Sequence, residues 1–312
     1  MADFAFVFPG QGSQSVGMLD AWGDHPAVRE VLEEASQALS EDIGRLIREG
    51  PKEALELTTN TQPVMLAAGI ACQRAWLAET GLSPAVVAGH SLGEYTALVA
   101  AGALTLSQAL PLVRLRAQAM QRAVPVGQGA MAAVLGLDAA EVDRVCAEVQ
   151  AQTGQVVSAA NFNDPRQTVI SGAKAAVDAA CEALKAAGAK RALPLAVSAP
   201  FHCALMKPAA DELKPVLQAT AFAAPAIAVI NNIDVQAPRE AAAIRDALYR
   251  QAFGPVRWVE IVQAIQARGV SAIIECGPGK VLSGMVKRIA PELRTTTVLD
   301  PASLAQAREL LA

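Results

Sequence analysis

Val86-Val87-Ala88-Gly89-His90-Ser91-Leu92-Gly93-Glu94 is the stretch on which the fold turns. Val86–Ala88 reads as a short buried strand, and a helical pattern runs on from about 92 to 123. Strand, sharp turn and helix in succession are the unit of a doubly wound α/β fold. In that setting G-x-S-x-G reads as a nucleophile turn. The glycines relieve crowding at the bend, and the Ser91 hydroxyl projects from the sheet edge. The helix that follows brings positive dipole and free N–H groups to an anion forming there, with the Leu92 N–H as a natural donor. The plainer reading, a serine that only N-caps a helix, gives way to the flanking strand and helix.

Working outward, Phe4-Ala5-Phe6-Val7-Phe8 is an apolar run closed by Pro9-Gly10, a second buried strand, followed by the polar loop Gly10–Gln14. Helical patterns fill roughly 26–50 and 62–80. From about 126 to 198 the rhythm changes. A strand at Met131–Leu135 precedes a helix opened by Asp138-Ala139-Ala140-Glu141, a capping-box pattern. Strands follow near 156–160 and 168–171. A helix from about 174 ends at Gly188, and Arg191–Val197 closes the segment as a strand. The order βαββαβ is that of a ferredoxin-like unit. The expectation is therefore a small ferredoxin-like domain at 126–198, bounded near Pro125 and Pro200. It interrupts a large α/β domain made of 1–125 and 199–312, which returns to alternating helices and strands that include Ala272–Glu275.

Composition narrows the function classes. The chain has 312 residues and a formal net charge of −4; 53% of residues are hydrophobic and 4% aromatic. That composition supplies a large core and excludes disorder. A slightly acidic chain with few aromatics is a poor nucleic-acid binder, because phosphate neutralisation needs basic excess and base stacking needs rings. No apolar stretch is long enough to span a bilayer. Met1-Ala2-Asp3-Phe4 has no basic leader region. The cysteines at 72, 146, 181, 203 and 276 form no CxxC pair and are odd in number, so they read as reduced, apolar-packing thiols of a cytoplasmic protein.

A serine nucleophile needs a base. The three histidines are His25, His90 and His202. His25 lies in a polar stretch. His90 adjoins the nucleophile, where neighbours on a sharp turn point apart, and is expected to pack near the site or line it. His202, in Ser198-Ala199-Pro200-Phe201-His202-Cys203, is left as the candidate base. No clean acid completes a triad: Asp164 and Asp178 lie inside the insert, so a backbone or amide carbonyl is left to orient the imidazole. On the helix around 109–122, Leu110, Leu112, Val113, Leu115, Ala119 and Met120 define an apolar face with Arg116 at its centre, while Arg114 lies opposite with Gln118 and Gln121. A buried arginine needs a partner. That partner is either a structural carboxylate or a substrate carboxylate clamped by the guanidinium fork.

Taken together, these residues resemble the malonyl-CoA:acyl-carrier-protein transacylase family. The resemblance rests on Phe8–Gln14, Thr61-Gln62-Pro63, Gly89–Glu94, Arg116 through Met120-Gln121, Asn161-Phe162-Asn163, Phe201-His202, Gln251 ahead of Pro255–Trp258, and Gly277–Leu282. It implies an α/β-hydrolase-like large domain around the small ferredoxin-like one, with the site in the cleft. It implies Ser91 as nucleophile, His202 as base, the Gln11 and Leu92 amides as oxyanion donors, and Arg116 as the malonyl carboxylate reader. The Gln251 main-chain carbonyl would orient His202, and Gln62, His90, Asn161, Phe201 and Met120 would line or support the pocket. Phe201 resembles the residue of malonyl rather than methylmalonyl selectors. The substrates implied are malonyl-CoA and a phosphopantetheinyl acyl carrier protein, in fatty acid synthesis, with no metal or cofactor.

The competing readings are an α/β-hydrolase-type thioesterase, a degenerate scaffold, and a stand-alone polyketide acyltransferase with the same chemistry. Gly277-Pro278-Gly279-Lys280 lacks phosphate-loop spacing and is expected to shape the cleft wall. Lys185, Lys190, Arg191, Lys280, Lys287 and Arg288 are candidate contacts for an acidic carrier or for CoA phosphates, or else ordinary solvated charges. Asp300–Ala312 carries no recognisable motif.

Overall fold

The computed structural model describes residues 3–312; Met1 and Ala2, part of the stretch inspected for a leader, lie outside the described residues. In chain order the elements are β1 (Phe4–Phe8), α1 (Pro26–Leu39), α2 (Ile43–Glu49), α3 (Lys52–Glu56), α4 (Thr58–Thr80), β2 (Val86–Gly89), α5 (Gly93–Ala100), α6 (Leu106–Ala123), β3 (Gly129–Leu135), α7 (Ala139–Thr153) and β4 (Val157–Asp164). They continue with β5 (Gln167–Ala173), α8 (Lys174–Ala186), β6 (Arg191–Pro194), α9 (Lys207–Ala219), β7 (Ala228–Ile230), α10 (Ala241–Gln251), α11 (Trp258–Gln266), β8 (Ala272–Cys276), α12 (Val281–Ile289), β9 (Arg294–Val298) and α13 (Pro301–Leu311).

Five strands pair in parallel in the order β7-β2-β1-β8-β9. β1 lies at the centre, and its sequence shows why. Phe4, Phe6 and Phe8 enter one core, Phe6 edge-on to both Phe4 and Phe8, and Phe4 and Phe6 edge-on to Trp76 of α4. Ala5 and Val7 enter the other, with Trp258, Ile261 and Val286. A parallel strand covered on both faces has no position for a polar residue, hence the unbroken apolar run.

The other four strands form a separate antiparallel sheet in the order β4-β5-β3-β6, reached through the expected βαββαβ sequence. Alternation along β3 sorts its two faces. Ala132 and Val134 pack under α7 and α8, whereas Met131 and Ala133 face away with Val169 and Phe201. The antiparallel sheet is tied to the loop between α10 and α11, where the Val256 amide donates to the Ala160 carbonyl (2.8 Å) and the Phe162 amide to the Val256 carbonyl (2.9 Å). A second link pairs Arg288 of α12 with buried Asp164 at the end of β4 (2.7 Å).

Several expectations are corrected in detail. The helical stretch expected over 92–123 is two helices. Its break at 101–105 holds left-handed Gly102 and a capping box in which Thr105 and Gln108 cap one another. The pattern over 26–50 likewise divides, at left-handed Ser40, before Asp42 caps α2. Asp138 does cap α7, but Glu141 does not reciprocate, because its carboxylate is drawn to Arg144. β6 stops at Pro194, which has no N–H to extend a ladder. The 300–312 segment folds as α13, capped by Asp300 and Ser303, and buries Leu304, Ala307 and Leu311 in the core shared with β1.

The glycines flanking Ser91 answer to space rather than flexibility. A Cβ on Gly89 would lie 1.9 Å from the Gly93 carbonyl carbon, and one on Gly93 would lie 2.2 Å from the Phe8 carbonyl oxygen. We expect Gly89→Ala to lower stability by about 3 kcal/mol, the upper range for overpacking, read as a shift of the urea midpoint. A midpoint equal to the parent's would mean that α5 yields to the methyl group. Among the described residues no helix is long and apolar enough to cross a membrane.

Candidate active site

Loops leaving the carboxyl ends of β1, β2, β7 and β8 gather over the sheet, the usual place for a site in an open parallel sheet. They meet the outward face of the antiparallel sheet around a cavity of about 310 Å³. Its wall is polar toward Gln62, His90, Ser91, Arg116, Asn161 and His202, and apolar toward Met131, Val169, Leu195, Phe201, Val281 and Met285.

Ser91 follows β2 at φ 53°, left-handed space that costs a non-glycine residue ~1–2 kcal/mol. The bend aims Oγ at His202, 111 residues further on; Oγ–H donates to Nε2 at 2.6 Å. His202 Nδ1 lies 3.0 Å from the Gln251 carbonyl and 3.1 Å from that of Gly254. Two carbonyls can only accept, so Nδ1 carries the proton and Nε2 is free to take one. No acid enters the arrangement. Asp164 is held by Arg288 and Asp178 by Lys174. His202 also has a positive φ, 60°, and is 4% exposed.

Burial, then the neighbouring Arg116 and His90, hold the His202 imidazolium down to about 3. A base works deprotonated, so lowering its pKa extends the working range toward acid. We expect a step that uses His202 as its base to show no His202 inflection near 6.5 and to stay level from about pH 8 to about pH 5. A pre-steady-state pH series measures this, and a break close to the free imidazole value would contradict it.

Arg116 is 2% exposed. Nη1 donates to Gln62 Oε1 (2.8 Å), and Nη2 to Gln251 Oε1 (3.1 Å) and Ser91 Oγ (3.3 Å). Its guanidinium lies 5.5 Å from the Tyr95 ring centre. All these hydrogen-bond partners are neutral, Nε has none, and burial pushes the guanidinium pKa down. Arg114, by contrast, turns outward and closes a two-pronged pair with Glu41.

Gln11 and Leu92 both border the cavity, and among the described residues neither backbone amide donates to a protein acceptor. The Gln11 side chain is tied back to Thr58, which also meets Ser198. His90 Nε2 binds Asn163 Oδ1 (2.9 Å), and its ring packs on Trp258. Gln62, His90, Asn161 and Phe201 all line the cavity. Met120 does not. It lies under the site in an apolar layer with Met206, Ala209 and Phe201, since its place on α6 points it at α9. Gln251 too stands behind the wall, acting through its carbonyl and its amide. Gly279 abuts Ser13, and Val281 and Leu282 continue that side of the cleft, where a wall was expected. All five cysteines are buried free thiols; burial pushes Cys203 up, and its Sγ–H donates to the Pro200 carbonyl.

Two residues escaped the sequence. Asn232, after β7, accepts from the Ser91 amide (2.7 Å) and donates to the Gly89 carbonyl (2.7 Å). Glu94, 2% exposed, accepts from the Asn232 amide (2.8 Å) and Gln251 Nε2 (3.1 Å), and burial pushes its carboxyl up to about 7. Glu94 left one clue, a lone acid in the apolar run from Leu92 to Leu98. Asn232 left none. Among the described residues no group of three or more His, Cys, Asp or Glu is placed to hold a metal ion.

Comparisons with known proteins agree with this geometry. The family described as acyl transferase domain matches residues 5–300. The malonyl CoA-acyl carrier protein transacylase of Escherichia coli K12 is 52% identical over 311 residues, covering 99% of this chain and all of the relative. That of Bacillus subtilis is 46% identical over 312 residues, covering 100% of this chain and 98% of the relative. The acyl-carrier-protein S-malonyltransferase structure from Burkholderia pseudomallei superposes with a TM-score of 0.96 at 62% identity, over 98% of this chain and 99% of that one. A malonyl-transacylase solved in complex with a type II PKS acyl-carrier protein superposes with a TM-score of 0.96 at 52% identity, over 99% and 100%. With a serine, an imidazole and a buried guanidinium converging on one cavity and a match along nearly its whole length, the chain belongs to the acyl transferase domain family, among the malonyl CoA-acyl carrier protein transacylases.

Proposed function

We infer that this chain transfers malonyl from malonyl-CoA to the phosphopantetheine thiol of acyl carrier protein, supplying fatty acid synthesis, through an ester on Ser91. The observation that carries the role of the site is Arg116: a buried guanidinium with only neutral partners, 3.3 Å from the Ser91 hydroxyl. A cation so placed has no carboxylate in hydrogen-bond contact, Glu94 reaching it only across Gln251, and a malonyl group brings one.

His202 takes the Ser91 proton as Oγ attacks the thioester carbonyl. The oxyanion rests on the Gln11 and Leu92 amides, where one donor is worth ~3 kcal/mol. Collapse expels the CoA thiolate, which takes the proton back from His202. The carrier thiol then gives its proton to His202 and attacks the Ser91 ester. Collapse of that second oxyanion returns Ser91 as its alcohol and releases the malonyl thioester. A malonyl carboxylate on Arg116 offsets the smaller, Arg116 part of the His202 depression, while burial, the larger cause, remains. A hydrolase needs no such cation.

The large parallel-sheet portion, 1–125 with 199–312, is proposed as an α/β-hydrolase-like domain, and 126–198 as a ferredoxin-like one; the strand order of the small sheet supports the second label. The chemistry calls for no metal or cofactor, and the chain is assigned to the cytoplasm. Exposed Lys280 precedes cavity-lining Val281 and suits an acidic carrier, whereas Lys287 lies on the face of α12 turned from the lining residues and Arg288 is engaged by Asp164. Intact-mass measurement after malonyl-CoA, then after holo-carrier, tests the reading. One malonyl mass should appear and then pass to the carrier. Loss of the label to water at the same rate without carrier would instead make the enzyme a thioesterase.

A further inference from the structure

The bend at Ser91 is held from outside its own chain segment. Asn232 is 0% exposed and sits 141 residues away, yet its side-chain amide spans the bend: Oδ1 takes the Ser91 N–H and Nδ2 reaches the Gly89 carbonyl, both at 2.7 Å. Its own amide is fixed by Glu94 Oε2, and its carbonyl accepts from the Arg257 amide (3.2 Å). Gln251 joins the same assembly, donating from Nε2 to Glu94 and to the Ser91 carbonyl (2.9 Å) while its own backbone carbonyl orients His202. A left-handed non-glycine residue persists only where its surroundings over-determine it, and these contacts do so.

We propose that Asn232 is a positioning residue for acyl transfer: its amide clamps the Ser91 bend so that Oγ meets His202 Nε2, with Glu94 fixing Asn232 in turn. The clamp also sorts the backbone donors. The Ser91 amide is occupied by Asn232, which leaves the next amide, that of Leu92, free toward the cavity. The side chain must accept at one end and donate at the other, across a fixed length. Aspartate offers two acceptors, leucine offers neither, and glutamine is one carbon too long.

The proposal rests on Ser91 as the acylated residue, and single-turnover acylation by malonyl-CoA tests the two separately. A parent enzyme that takes up no malonyl refutes the Ser91 reading. Given a labelled parent, Asn232→Ala should acylate ~100-fold more slowly per folded molecule, the usual consequence of a misplaced reacting atom. Its malonyl-CoA affinity, measured in a Ser91→Ala background, should stay within about twofold. Asn231→Ala, which loses a hydrogen bond from the Asp234 amide in the same loop, should acylate at the parental rate. Asn232→Asp keeps the acceptor for Ser91 and regains a donor only when its new carboxyl is protonated, so its rate should rise as pH falls, opposite to a step that needs a free base. The proposal is overturned if Asn232→Ala stays within about threefold of the parent, if affinity falls as far as rate, or if Asn231→Ala falls equally. Should Asn232→Ala not fold, the absence of the acid-side gain in Asn232→Asp overturns it alone.

Discussion

Ser91→Ala is expected to lower malonyl transfer by about a millionfold, the loss typical when the nucleophile of a coupled unit is removed. The geometry offers no substitute. The hydroxyl at 2.6 Å from His202 Nε2 is the one group in the cavity that joins an activated oxygen to a free base. Cys203, next to the base in sequence, is buried 1% exposed with its Sγ–H committed to the Pro200 carbonyl, and burial raises its pKa, so no thiolate is available to take over. The cavity itself should survive, because Ser91 Oγ is small and Arg116 keeps two other partners. Malonyl-CoA should therefore still bind, and no malonyl mass should remain on the protein. Labelling of the variant at another residue would overturn the nucleophile assignment.

Arg116→Ala should reverse the preference between acyl groups. Malonyl transfer loses the buried cation that meets its carboxylate, a loss of ~4 kcal/mol, or roughly a thousandfold in kcat/KM. Acetyl transfer has no carboxylate to lose and is relieved of a desolvated charge beside Ser91, so it should hold or rise. Arg116→Lys keeps charge without the fork that reaches Gln62 and Gln251 together, and should fall between. The ratio of malonyl to acetyl kcat/KM is the measurement. Equal losses for both acyl groups would remove Arg116 from selectivity and leave it a structural cation.

The parts of the site differ in how plainly the sequence announces them. Ser91 does so through its strand, its glycines and its helix, all within nine residues. Arg116 does so by sitting in the centre of an apolar helical face, and its 2% exposure agrees. The βαββαβ rhythm of 126–198 is audible in period-two and period-3.6 patterns, and the separate antiparallel sheet follows it. The break at 101–105 was blurred because apolar residues continue through it and the capping pair Thr105/Gln108 is ordinary in composition. Met120 supports the pocket without lining it: a helix face can be apolar toward a cavity or toward another helix, and α9 claims this one.

The chain by itself determined the all-apolar central strand, the crowded serine bend and the buried arginine, because each depends on the order of side chains over a few turns or residues. The Gln251 carbonyl was implied by the resemblance, but only the tertiary structure decided that the Gly254 carbonyl joins it at His202, which amide holds Ser91, and that Glu94 stands behind both Asn232 and Gln251. Those partners lie as far as 160 residues apart; Asn232 reaches Ser91 because β7 and β2 are neighbours in the sheet, and Gln251 because α10 ends against the same bend. A main-chain carbonyl is the same in every residue, and an asparagine after a short strand carries no pattern. Their roles come from strand order, which is a property of the whole packed sheet and not of any one stretch of the sequence.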